Sequence, residues 1–318
     1  MIINFTPGHF LSPTLALLGI VILLSGCNQS TRVAGETTSP TDSRLQVIAT
    51  TTILADVVNN IGGDHIRLDT LLPVGVDPHS FQASPQDLSR LAQAEIIFIN
   101  GAGLEEFILP LIENANPSAS LVDASGGIAF LTPATVETDE PRQEADPHVW
   151  TDPNQVMIWA RNITQALVEI DPQNTAAYQA NAENYVRSLN ELDTWIQEQV
   201  SLVPPERRKL VTDHQTLEYF AERYGFDQVV AILPGVSTLT EPTAQELATL
   251  EDAIQSLGVK AIFVGTTVNP ALARQVANDT VTRLVSIYTG SLSESGGPAD
   301  TYLYYIRHNI NAITEALK

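Results

Sequence analysis

Cysteine is nearly absent from this 318-residue chain: the single Cys27 permits no internal disulfide and no thiolate metal cluster or multi-cysteine redox centre. Positive charge is scarce too. Sixteen Lys and Arg stand against 37 Asp and Glu, a formal net charge of −21, which repels nucleic acid and anionic membrane and favours contact with cations. No apolar run after residue 24 approaches the roughly 20 residues a membrane helix needs. Motifs of several enzyme classes are missing as well, with no His-Glu-x-x-His helix and no Ser or Cys nucleophile signature; Gly101-Ala102-Gly103 is too short for a phosphate-cradling loop. What is present is a 44% hydrophobic composition, enough to bury a core in each of two ordinary domains.

Cys27 is informative by its position. An apolar stretch from Leu11 to Leu24 runs into Leu24-Ser25-Gly26-Cys27, small residues before a cysteine as a cleavage site requires. This resembles the bacterial lipoprotein signal, with Cys27 lipidated as the mature N-terminus, although Met1 to Phe10 carries no Lys or Arg. An uncleaved membrane helix is the alternative, and Pro13 disfavours it. Residues 1–27 are therefore expected to be the signal. Residues 28–44, rich in Ser, Thr, Gly and Pro, are expected to form a flexible tether that leaves the folded part outside the cytoplasm at a membrane surface.

From Leu45 onward, β-branched runs alternate with helical patterns. Strands are expected at Leu45 to Ile53, Ile66 to Leu72, Glu95 to Asn100, Lys209 to Thr212, Gln228 to Leu233, Val259 to Val264 and Arg283 to Tyr288. That alternation predicts an α/β fold with mainly parallel sheets. A strand-free stretch runs from near Pro153 to Val203, broken at Asp171-Pro172, where Asp can cap and Pro can open a new helix. Tyr178, Tyr185, Leu189, Leu192, Trp195, Ile196 and Val200 recur at helical spacing over 172–203, an amphipathic helix of up to about 45 Å. The expected organisation is an N-terminal lobe at 45–171, this helix as connector, and a C-terminal lobe at 204–318, with Pro204-Pro205 as the stop.

Beyond the signal the histidines are His65, His79, His148, His214 and His308. His79 and His148 each complete an Asp-Pro-His triplet, in which proline stiffens the turn that presents the imidazole. His214 directly follows a predicted strand, and ligands of open α/β sheets bind beyond the carboxyl ends of strands. Three imidazoles plus one further oxygen donor or water suit tetrahedral zinc. His65, in a Gly62-Gly63-Asp64-His65 turn, and His308, beside Arg307 on a helix, read as ordinary structural residues.

The segments Leu72-Pro73-Val74-Gly75-Val76-Asp77-Pro78-His79-Ser80-Phe81, Asp146-Pro147-His148-Val149-Trp150-Thr151-Asp152-Pro153, His214 to Gly225 and Pro298-Ala299-Asp300-Thr301-Tyr302 occur in an order that resembles the zinc- and manganese-binding solute-binding lipoproteins of ABC transporters. The resemblance spans Leu45 to Lys318. It implies a two-lobed receptor, joined by a rigid helix, with a metal site in the interlobe cleft and His79, His148 and His214 as ligands. It also implies a monomer that hands its cargo to a membrane permease driven by a cytoplasmic ATPase. The third ligand position is typically His in zinc receptors and Glu in many manganese receptors, so His214 points to Zn²⁺ ahead of Mn²⁺ as cargo.

The chain departs from that pattern twice. Gly265, in Phe263-Val264-Gly265-Thr266-Thr267, stands where an acidic residue is usual, and Gly290, before Ser291-Leu292, stands where many members supply an aspartate ligand. Water or a neighbouring carboxylate then fills the fourth position. The stretch Thr132 to Asp146 is acidic and lacks the histidines that many zinc receptors carry there. A manganese receptor, a surface adhesin or metal-storage protein, and a three-histidine zinc hydrolase are the alternative functions.

Overall fold

A computed structural model describes residues 43–106, 108–116, 118–132 and 145–318. The signal, Cys27 and nearly all of the tether lie outside these residues, as does most of the acidic 132–146 stretch. No helix among the described residues is long and apolar enough to cross a membrane.

The first sheet contains β1 (Leu45–Ala49), β2 (Ile66–Thr70), β3 (Ile96–Ile99) and β4 (Ser120–Asp123), all parallel in the spatial order β2-β1-β3-β4. Helices α1 (Thr52–Gly62), α2 (Pro85–Leu91) and α3 (Leu109–Ala115) cross between its strands. The second sheet repeats the plan with β5 (Lys209–Thr212), β6 (Asp227–Ala231), β7 (Ala261–Gly265) and β8 (Arg283–Ile287), parallel in the order β6-β5-β7-β8. Its crossovers are α6 (Glu218–Tyr224), α7 (Ala244–Ser256) and α8 (Ala271–Asp279). Two parallel α/β lobes result. The central strands β3 and β7 are buried along their whole length, as continuous apolar runs covered on both faces must be.

Strand β4 is absent from the sequence expectation. Its Ser120-Leu121-Val122-Asp123 is short, polar at both ends and only half-buried at a sheet edge, so the apolar pattern is weak there and its pairing with β3 decides it.

Between the lobes run α4 (Pro153–Ile170) and α5 (Thr175–Ser201). Asp152 caps α4 by accepting the Asn154 N–H, with Pro153 in the first turn. At the expected break, Asp171 accepts hydrogen bonds from Asn174 and Tyr178 and a single 3₁₀ turn separates the helices. At 27 residues α5 is about 40 Å long. Its buried stripe, Tyr178, Tyr185, Leu189, Leu192, Ile196 and Val200, belongs to one continuous core that also takes in α1, α4 and the C-terminal α9 (Tyr302–Leu317). Separate apolar clusters fill the far side of each sheet. The lobes thus share a helical spine rather than hanging on a flexible linker.

Candidate metal centre

Both Asp-Pro-His triplets fold alike. Asp77 Oδ1 accepts the His79 amide N–H at 3.0 Å, and Asp146 Oδ1 accepts that of His148 at 2.9 Å, so each aspartate closes a turn around its own proline. The first triplet follows β2; the second immediately precedes a 3₁₀ turn, Val149–Thr151, and α4. His214 sits two residues past β5, its amide held by Asp213 Oδ1 at 2.7 Å.

These turns bring the three histidines singled out in the sequence to one point. His148 Nε2 lies 3.1 Å from His79 Nε2 and 3.2 Å from His214 Nε2, and one ligand nitrogen from each ring falls within 4.8 Å of the others. His148 and His214 are buried; His79 is partly exposed and forms the outer wall. The site does not draw in the other two histidines. His65 sets its ring edge-on to Tyr178 at 6.0 Å, and His308 does the same to Tyr288 at 5.2 Å.

Aspartates hold two rings from behind. Asp146 Oδ1 is 2.7 Å from His148 Nδ1 and Asp213 Oδ1 is 2.6 Å from His214 Nδ1. Where the aspartate is ionised it can only accept, which keeps the proton on Nδ1 and turns the Nε2 lone pair of that ring toward the shared centre. Burial, reinforced by the two neighbouring imidazoles, pushes the His79 ring down to about 3, and burial holds His148 well below the usual histidine range. Such rings stay neutral, as donors to a cation must. Burial also pushes the Asp146 carboxyl up to about 7.

The lobes meet around this cluster. Tyr219 of α6 donates to the Asp146 carbonyl at 2.8 Å, and Trp150 Nε1 donates to the Thr289 carbonyl at 3.1 Å. Tyr302 of α9 donates to the Trp150 carbonyl at 2.8 Å. On the other side Thr238 donates to Asp77 Oδ2 at 2.6 Å, and the Gly75 N–H to Ser291 Oγ at 2.9 Å. His79 is therefore carried on a loop that the second lobe latches.

Sequence reasoning missed Glu105. Its buried carboxylate accepts from Thr50 Oγ1 at 2.7 Å, Asn100 N at 2.7 Å and Gly101 N at 3.0 Å, tying the end of β1 to that of β3. Asn100 in turn donates through Nδ2 to the Pro147 carbonyl at 3.1 Å, beside His148. The only signal was an acidic pair, Glu105-Glu106, just beyond Gly101-Ala102-Gly103, and nothing in the sequence marked the first as buried and the second as exposed.

Two parallel α/β lobes on a helical spine, with converging imidazoles at their meeting face, make the frame of a two-lobed binding protein. Comparisons place it further. The zinc-uptake complex component A family, described as periplasmic, matches residues 47–316, and the chain belongs to that family. It is similar to the manganese-binding lipoprotein MntA of Halalkalibacterium halodurans, with 32% identity over 309 residues covering 95% of this chain and 96% of that one. It is similar also to the metal ABC transporter substrate-binding lipoprotein SsaB of Streptococcus sanguinis, at 31% identity over 96% and 97% of the two chains. Among solved structures, the manganese-bound periplasmic metal-binding protein of Candidatus Liberibacter asiaticus superposes with a TM-score of 0.76 at 28% identity, covering 86% of this chain and all of that one. The periplasmic zinc-binding protein TroA of Treponema pallidum gives 0.78 at 27%, with 86% and 99% covered. This chain is accordingly an extracytoplasmic substrate-binding protein of a metal ABC transporter, not an enzyme.

Proposed function

We propose that the protein captures Zn²⁺ through His79, His148 and His214 and delivers it to an ABC permease driven by its ATPase, while a lipid on Cys27 holds it at the membrane. The lobes would then be residues 45–171 and 204–318, with 172–203 as the connector and 28–44 as the tether. One observation carries the reading. Nitrogens 3.1 and 3.2 Å apart are close to the separation of about 3.3 Å that a tetrahedral ion with Zn–N bonds of about 2.0–2.1 Å requires. A harder, larger ion such as Mn²⁺ favours oxygen donors, and the position where the family resemblance puts an aspartate ligand is Gly290. A Cβ there would lie 2.7 Å from Pro78 Cδ, so the closed site has no room for a side chain at that point.

Capture, on this reading, needs little rearrangement of His148 and His214, which are fixed by their aspartates. His79 is the movable donor: release of the Thr238–Asp77 and Gly75–Ser291 contacts together would free its loop and open the outer wall. Manganese is the second reading, because the similar MntA protein is named manganese-binding and the Liberibacter structure is manganese-bound.

Competitive titration of metal-stripped protein separates the two. We expect tight one-to-one Zn²⁺ binding that Mn²⁺ displaces poorly and that His214→Ala removes. Preferential Mn²⁺ binding would overturn the cargo assignment, and an unaffected His214→Ala variant would overturn the ligand set.

A further inference from the structure

Gly265 ends β7 directly beside His214's own supporting aspartate. Asp213 Oδ2 accepts the Gly265 N–H at 2.5 Å, while Asp213 Oδ1 accepts both the amide and the ring Nδ1–H of His214. The carboxylate is thus clamped between the ends of the two central strands of the second sheet, in the crevice where the strand order reverses. A side chain at 265 would contest this space. Its Cβ would collide with Thr289 Oγ1 and come within 3.1 Å of Asp213 Oδ2. Glycine at 265 and aspartate at 213 therefore fit one another.

We infer that Asp213, seated on Gly265, is the positioning residue that fixes His214 with its Nε2 lone pair toward the cargo. The inference rests on the three-histidine reading. Its force lies in counting donors. Three N–H groups converge on Asp213, and both carboxylate oxygens are needed as acceptors. An isosteric asparagine fails in either orientation. With its oxygen on the His214 side, its NH₂ opposes the Gly265 N–H. With its oxygen on the Gly265 side, its NH₂ meets His214 Nδ1, which must then become an acceptor, and the ring proton moves to Nε2, where it blocks coordination. The acidic residue absent at 265 is thus answered by one at 213, directly behind His214.

The test has two parts. Ring ¹⁵N NMR of the metal-free protein reports the tautomer of His214; the Nδ1–H form is expected, and an Nε2–H form in the unaltered protein would overturn the inference without any substitution. Zn²⁺ titration of Asp213→Asn and Asp213→Ala follows, with circular dichroism confirming the fold. Both should bind about 10- to 100-fold more weakly, and in Asp213→Ala, with no acceptor left facing Nδ1, His214 should lose its preference for the Nδ1–H form, a change that a merely structural aspartate would not produce. Affinity within twofold of the unaltered protein in either folded variant would defeat the proposal. His214→Ala, titrated alongside, keeps the two failures apart. If it binds normally the ligand set is wrong, whereas if it alone loses binding only the role of Asp213 falls.

Discussion

The two lobes solve the same topological problem with the same chemical group, and they use it differently. Each has a four-stranded parallel sheet whose order reverses between its two central strands, β1 and β3 in one and β5 and β7 in the other. In each, a carboxylate bridges the ends of those strands. In the first lobe it is Glu105, reaching back from the following turn to Thr50, Asn100 and Gly101. In the second it is Asp213, part of the strand-end segment itself. Glu105 reaches a site histidine only at one remove, through Asn100 and the Pro147 carbonyl, whereas Asp213 touches His214. The crevice that would hold a ligand in a single doubly wound domain is closed internally in both lobes. The imidazoles project instead from the loops beyond it, where only the meeting of two lobes can complete a site.

Exchanging or trimming these groups sharpens the contrast. The largest effect is expected at Glu105. Replacing it with Ala strands three buried donors, and at about 1 kcal/mol or more apiece the cost should reach roughly 3 kcal/mol of stability, read by urea unfolding. It also carries a pH signature. Burial pushes the Glu105 carboxyl up to about 7, so between its unfolded value near 4.5 and 7 the native state holds a proton that the unfolded chain has released. Stability from this residue is therefore complete below that window and declines as pH rises through it. Glu105→Gln should flatten that decline, and an unchanged slope would show that the carboxyl ionises freely.

Next comes Gly290→Ala. The added Cβ must push Pro78 away from the second lobe, an overpacking cost of about 1–3 kcal/mol that lowers the metal-free melting temperature, and Zn²⁺ affinity should fall on the order of tenfold. Unaltered affinity would mean that the loops need not close to this distance on binding.

The smallest effect is expected for Tyr219→Phe. The hydroxyl bridges the Leu131 N–H and the Asp146 carbonyl, holding the His148 turn from the second lobe. About 1 kcal/mol of stability and a few-fold in affinity should be lost, measured by unfolding and titration.

Much of this was legible before any fold was in hand. Strand β5 coincides with the expected Lys209 to Thr212, because a β-branched run bounded by Arg208 and Asp213 leaves little freedom in where it starts and stops. The break at Asp171-Pro172 was legible because proline cannot continue a helix; the expected aspartate cap is not made, and the Asp171 side chain instead accepts from the side chains of Asn174 and Tyr178. The three histidines stood out because stiff Asp-Pro turns and a strand terminus are positions where the chain has few conformations. Glu105 and strand β4 were not legible, since one depends on burial by distant residues and the other on pairing with a neighbour. The meaning of Gly265 and Gly290 was hidden for the same reason. Each looked like a missing carboxylate, and only the packing shows Asp213 and Pro78 filling the space.

By itself the sequence determined the alternation of elements and the long helix and singled out the three imidazoles that the fold brings together, because these follow from local periodicity, backbone restriction and the chemistry of single side chains. Tertiary structure alone decided that the imidazole nitrogens converge on one point, which aspartates stand behind two of the rings, and which glycines the closed site requires. Those properties belong to contacts between residues separated by tens to hundreds of positions along the chain, and no local pattern encodes a distance of 3 Å across two lobes.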